Sequence, residues 1–368
     1  LRDVPSGSRP ATIQGFGHRL SNWPRVPTVA ELDAVTGEVP TLLISGDVHS
    51  GWLNSAALRV FGLPEASAQD PGTPMKEDPW FALLDRLDEV PGTRELRESG
   101  YRQVLSDMLA RGITGVVDMS WSEDPGDWPR RLQAMAAQGL PPVALPRIRI
   151  AVYRDKLERW IARGLRTGVE LPGSPHLADG SPALVQGPLK VIADGSMGSR
   201  TAHCIVPYPD PLPGYPNGKP NYTRPELLAL LRRAREARLR AAVHAIGDAA
   251  CHDVLDAFEV SGARGSVEHV QCVAPADLPR FARLKLVASI QPAHQLEDVG
   301  VVDLVWPDAK GRAYPMLDLL RAGARLAFGS DAPVASLDPW KAIEAACHRP
   351  YRADQALTPL AALQASTR

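Results

Sequence analysis

Short apolar or β-branched runs, each closed by a glycine or a turn residue, recur along most of the chain. They alternate with stretches whose apolar positions repeat every three or four residues. The first pattern is that of buried strands, the second that of helices packed by one face. Strand runs fall at 113–119, 146–153, 189–193, 239–244, 266–269, 286–291 and 326–330. Between them, 223–238 reads as a helix. Thr223 and Glu226 form a capping-box pair, Pro225 sits in the first turn, and Leu227, Leu228, Leu231 and Ala234 keep helical spacing. A second helix starts after Gly247, with Val254, Leu255 and Phe258 on one face, and Gly112 is placed to end the helix that carries Leu105, Met108 and Leu109.

Strand–helix repetition of this kind predicts an α/β fold with a parallel sheet and helices outside it. A TIM-like (β/α)8 barrel with seven strands present, one short of closure, is favoured over a doubly wound open sheet. The reason is that polar residues close several of the runs, and barrel strand ends converge on one mouth. The barrel, strands 2–8, is assigned to residues 94–368. Residues 1–93 are rich in Pro and Gly, carry a single strand-like run at 41–45, and are expected to be an inserted subdomain beside the mouth. The Pro-rich run 206–220 is expected to be a lid or binding loop.

The chemistry lies in what closes the runs. Leu239–Val243 leads into His244, Gly265–Glu268 into His269, and Arg325–Ser330 into Asp331, while Lys190 sits inside the run before Asp194. Imidazole and carboxylate are zinc donors, and a catalytic zinc keeps one position open. On spacing alone, a metal site and a set of structural histidines weigh about equally. Lys190 is either an interior lysine paired with Asp194 or another acid, or a carbamate-forming lysine acting as a bridging carboxylate. The loop 194–202 resembles a mouth-shaping turn, with Arg200 available for a substrate carboxylate, more than a phosphate cradle. His49 and Asn54 could reach the mouth from the insertion, and a structural role for each is equally open. His203 and His294 follow strand ends and are also open, with His294 grouped among substrate contacts. His18, His176, His252 and His348 are placed at the surface, and no GxSxG elbow is present.

Composition narrows the partners. With 41 basic and 42 acidic side chains among 368 residues, the formal charge is −1, which implies no broad face for nucleic acid or anionic lipid. An apolar share of 44% suits a large core, and no stretch reads as a membrane span. A small-molecule substrate is expected, with a homo-oligomer left open. Cys204, Cys251, Cys272 and Cys347 are far apart with no CxxC pair, so reduced thiols and a cytoplasmic location are expected.

Taken in order, the stretches GDVHSGWLNSAAL (46–58), RGITGVVD (111–118), LKVIADGSMGSRTA (189–202), VHAIGDAA (243–250), VEHVQ (267–271), SIQPAHQLED (289–298), GSDAPVASLDPW (329–340) and LTPLAALQAST (357–367) resemble the amidohydrolase superfamily. The likeness is to its amidohydrolase family 3 branch, which includes N-substituted formamide deformylase-like proteins. The resemblance implies a barrel with divalent metal, zinc in first place, at the strand ends. It matches His244 to the strand-5 ligand, His269 to the strand-6 ligand and catalytic contact, and Asp331 to the strand-8 aspartate that binds metal and shuttles a proton. Lys190 falls where an often carboxylated strand-4 lysine would lie. The implied activity is hydrolysis of an amide-type C–N bond by metal-activated water. A barrel acting on a phosphorylated or cyclic substrate and a non-catalytic barrel are the alternatives. The superfamily's HxH pair on strand 1 is absent from these residues. The expectation is therefore a fragment that lacks the first strand and the C-terminal end, with little or no activity by itself.

Overall fold

The computed structural model describes residues 10–20, 23–64, 72, 74–84, 86–120, 126–137 and 145–367. They divide into two compact units, Leu1–Val104 and Leu105–Arg368. The division falls inside the helix Thr93–Ala110, later than the boundary expected at residue 93.

The first unit holds a four-stranded sheet: β1 (Ile13–His18), β2 (Thr41–Ser45), β3 (Ser50–Leu53) and β4 (Met75–Lys76), in that spatial order. Only β2 was expected. β1 is glycine-interrupted with no fully buried residue, and β3 has four residues, so neither shows an apolar alternation long enough to read. The strands β1 and β2 run parallel, while β3 pairs antiparallel with both β2 and β4. The buried indole of Trp80 presses on β3 so closely that a Cβ on Gly51 would lie 2.1 Å from it, which explains a glycine in mid-strand.

The second unit is built on a seven-stranded, wholly parallel sheet. Its strands are β5 (Gly115–Asp118), β6 (Arg147–Val152), β7 (Leu184–Ile192), β8 (Ala241–Ala245), β9 (Gly265–His269), β10 (Val287–Ile290) and β11 (Arg325–Phe328). Spatial order follows chain order from β5 to β11. A doubly wound sheet would reverse direction at a switch point, so the monotonic order identifies the barrel type and removes the open-sheet alternative. Every residue of β8 is buried, as expected where both faces of a parallel sheet are covered. The helix Arg224–Glu236 has the expected capping box at Thr223, and Leu227, Leu231 and Ala234 form its buried face. Each leucine so buried contributes roughly 1.5–3 kcal/mol. The helix Asp248–Ser261 buries Val254, Leu255 and Phe258, and it ends on left-handed Gly262, whose N–H donates to the Phe258 carbonyl. Among the described residues no helix is long and apolar enough to cross a membrane.

Register sets the site. Ile192 pairs with His244, Ala245 with His269, Ser289 with Glu268 and Ile290 with Phe328, so the C-terminal ends of β7 to β11 finish at one level.

Candidate metal centre

Four side chains converge on that rim. His244 is the penultimate residue of β8 and His269 ends β9, with ring centroids 4.5 Å apart in an edge-to-face arrangement. Strict strand alternation would put His269 on the face opposite Glu268. Its backbone leaves the strand region at φ +71°, followed by Val270 at +51°, and this ends the alternation. Left-handed backbone at non-glycine residues costs on the order of 1–2 kcal/mol and collects at functional sites. His294, just past β10, stacks on His269 with centroids 5.9 Å apart and an interplanar angle of 18°. Its Nε2 lies 3.7 Å from Asp331 Oδ2, and Asp331 follows β11 at φ +54°.

One ligand atom each from His269, His294 and Asp331 lie within 4.8 Å of one another. Metal–ligand bonds of ~2.0–2.1 Å at tetrahedral angles imply ligand atoms about 3.4 Å apart, so the group needs only a small contraction around an ion. Both imidazoles are buried, yet His269 Nδ1 and His294 Nε2 have no hydrogen-bond partner among the described residues. An orphaned buried polar atom is costly in a fold, and two of them on imidazoles grouped with a carboxylate are what a metal site without its ion would leave. The amide nitrogen of Gln271 is 3.5 Å from His294 Nδ1. With that amide turned over, its oxygen would accept Nδ1–H and leave the Nε2 lone pair free. These donors fit a divalent metal that accepts nitrogen and oxygen.

Electrostatics point the same way. Burial drives His269 well below the usual histidine range, reinforced by His244, Lys190 and His294 and opposed by a hydrogen bond to Gln291. Neutral imidazole is the metal-binding form. Lys190, two residues before the end of β7, is buried, and burial pushes its pKa down against the pull of Glu268 and Asp331. Those two carboxylates, not Asp194, answer the lysine. Tyr153, just past β6, donates to the Met119 carbonyl at 2.7 Å, and burial and then Asp331 raise its pKa, so a neutral phenol completes this side.

Other expected contacts are placed elsewhere. Asn54 is wholly buried in the first unit. Its Oδ1 accepts from Thr41 N at 2.9 Å and Ala57 N at 2.8 Å, while its Nδ2 donates to Thr36 Oγ1, Gly37 O and Val39 O. Its polar capacity is spent on capping the helix Ser55–Val60 and tying it to β2, so a substrate contact is corrected to a structural one. His49, also in the first unit, pairs with Glu77 at 3.1 Å and meets the Phe81 ring edge-on. Arg200 donates to the Asp210 carbonyl at 2.9 Å and to its carboxylate, which answers its charge within the Pro-rich loop. The hydroxyls of Ser196, Ser199 and Thr201 bond one another, which leaves little for a phosphate. His18, expected at the surface, is half-buried with Nε2 on the Leu43 carbonyl.

The Pro-rich loop is laced rather than bare. Cys204 N donates to Asn217 O, Tyr208 OH to Ala202 O, and Asn221 N to Ala193 O. Sequence reasoning offered Asp194 to Lys190 and missed it as the partner of His244, whose Nε2 lies 3.3 Å from its buried carboxylate. Nothing in the pattern separates it from any aspartate in a strand-end turn.

Comparison with known proteins agrees with this geometry. Residues 8–368 match the model of the amidohydrolase family. The Arabidopsis thaliana protein named LONG AFTER FAR-RED 3 is 30% identical over 97% of this chain and 64% of its own length. N-substituted formamide deformylase of Arthrobacter pascens is 24% identical over the whole chain and 70% of its own length. The crystal structure of an uncharacterized metal-dependent hydrolase from Pyrococcus horikoshii OT3 superposes with a TM-score of 0.76 at 28% identity, covering 96% of this chain and 71% of that one. The chain spans 63% and 64% of the length of the first two curated relatives it matches.

Proposed function

Because the chain belongs to the amidohydrolase family, we propose that the protein hydrolyses an amide-type C–N bond in a small molecule, with metal held by His269, His294 and Asp331 and supported by His244 and Lys190. One observation carries this reading: one ligand atom each from two buried imidazoles and a carboxylate lie within 4.8 Å of one another on the rim where five parallel strands end. The nitrogen-and-oxygen donor set favours zinc, which when bound would lower the pKa of water towards ~7.

The chain's own residues supply the remaining steps. Asp331 is partly exposed and carries a carboxylate oxygen at the rim. It accepts the proton of the attacking water and returns it to the leaving amine nitrogen. Neutral His269 keeps its lone pair available at the pH of the reaction. Lys190, with its pKa lowered by burial, holds a larger share of neutral amine. Its Nζ adds to the carbon of carbon dioxide and releases one proton, giving a carbamate whose oxygens are hard donors. An N-substituted formamide is the substrate class to try first, since a relative carries that name.

The test uses Asp331→Asn. Turnover of a formamide or related amide should fall ~100- to 10,000-fold, as for loss of a general acid–base group, while the two imidazoles keep zinc at the rim. Retained turnover removes Asp331 from the mechanism. A purified protein with no stoichiometric metal, unable to take up zinc on addition, overturns the metal-dependent reading and leaves a non-catalytic barrel.

A further inference from the structure

We propose that Asp194 is a positioning residue for His244: its carboxylate, just past β7, holds the imidazole as the Nε2–H tautomer and leaves the lone pair on Nδ1. The inference rests on the reading of His244 as a metal ligand.

Asp194 is wholly buried. Its Oδ1 accepts from Ile246 N at 3.0 Å, and its Oδ2 accepts from Gly247 N and His203 N at 2.9 Å each. A buried carboxylate is costly unless N–H donors surround it, and three oriented backbone donors meet that need. Those bonds alone would make Asp194 a clasp joining the ends of β7 and β8 to the segment at His203. The fourth neighbour exceeds that role. His244 Nε2 lies 3.3 Å from Oδ1 and 3.1 Å from the Gly195 carbonyl. Both are acceptors, so Nε2 must carry hydrogen. In neutral imidazole the other nitrogen then has the lone pair, which is the general way an outer partner selects the metal-binding nitrogen of a histidine. The clasp is tightly fitted on its far side. A Cβ on Gly247 would lie 2.0 Å from the His203 carbonyl oxygen, so the backbone N–H groups reach the carboxylate only because residue 247 has no side chain.

Ring 15N spectra of the metal-free chain, labelled at histidine and assigned with His244→Gln, read the tautomer directly. The expected wild-type signal is Nε2–H. In Asp194→Asn the amide oxygen should stay on His203 N and Gly247 N, which turns its NH2 towards His244 Nε2. The ring should then shift towards Nδ1–H, and zinc affinity, measured by chelator competition, should fall ~10- to 100-fold. An Nδ1–H ring in the wild type overturns the proposal, and so does an Asp194→Asn protein with tautomer and zinc affinity both unchanged. If Asp194→Asn does not fold, Asp194→Ser takes its place with the same two readouts: a shift towards Nδ1–H or a fall in zinc affinity supports the proposal, and a ring that stays Nε2–H with zinc affinity unchanged ends it. A tautomer shift with zinc affinity intact in both Asp194→Asn and His244→Gln overturns His244 as a ligand while the hold of Asp194 on the ring stands.

Discussion

Asn54 in the first unit and the His269–His294 pair in the second are all buried but in opposite chemical condition. Asn54 has its oxygen taken by two backbone N–H groups and its nitrogen shared among three acceptors. His269 and His294 each keep a ring nitrogen with no hydrogen-bond partner among the described residues. Both kinds of residue look alike along the chain, as polar positions closing apolar runs. Burial alone therefore does not mark function. A buried polar group with every bond made is architecture, and one left open in a well-packed rim is waiting for a ligand.

The sharpest way to break this contrast is to remove both open nitrogens. In the double variant His269→Gln, His294→Gln, zinc affinity should fall by more than ~10,000-fold, ~100-fold or more per ligand, since loss of an outer-shell partner alone costs up to that much. Stability of the metal-free protein in urea should fall by no more than about 2 kcal/mol, because only the contacts of His294 Nδ1 with Gln271 and of His269 with Gln291 are lost. Intact zinc binding together with a large loss of stability would make the histidines structural and the contrast false.

Asn54→Ala is the mirror experiment. It removes a helix cap and strands backbone groups of Thr41, Ala57 and Val39 in a dry interior, at a cost of about 3–5 kcal/mol. Urea unfolding measures that loss, and zinc affinity should be unchanged. A shift below about 1 kcal/mol would show that water replaces the amide and that the knot is not structural.

The two groups also differ in how far the sequence revealed them. The strand ends carrying Lys190, His244, His269 and Asp331 were legible because β8 is wholly and β7 mostly buried, while β9, β10 and β11 bury Val267, Ala288, Ile290 and Leu326, which leaves short apolar runs in the chain. Gly112 was legible as a helix end for a local reason, its left-handed φ of +78°. The sheet of the first unit was not, because β1, β3 and β4 are held by pairing and by Trp80 rather than by an alternation of their own. Nor was the satisfaction of each polar group. Asn54 and His294 were grouped together as substrate contacts, and only coordinates show that one is saturated and the other open. Asp194 stayed hidden for the same cause, since its donors come from residues 203, 246 and 247.

A weaker perturbation separates satisfaction from burial. Thr223 caps the helix Arg224–Glu236 as Asn54 caps Ser55–Val60, with its hydroxyl accepting from Glu226 N and the Glu226 carboxylate returning to Thr223 N at 2.8 Å. This cap is exposed, so water takes over the freed donor when it is removed. Thr223→Ala should cost about 1 kcal/mol in urea, well below the loss at Asn54. Acid gives the same distinction a second reading. The backbone N–H of Thr223, then its hydroxyl, hold the Glu226 carboxyl below its usual range. A carboxyl with a depressed folded-state pKa adds stability above its unfolded value and loses it as pH falls through the folded one. The stability difference between wild type and Thr223→Ala should therefore narrow in acid below the ordinary carboxylate range, while the deficit of Asn54→Ala, which involves no titrating group of its own, should stay constant across the same window. A Thr223→Ala loss as large as that of Asn54→Ala would mean that the cap itself, not the dryness around it, sets the cost.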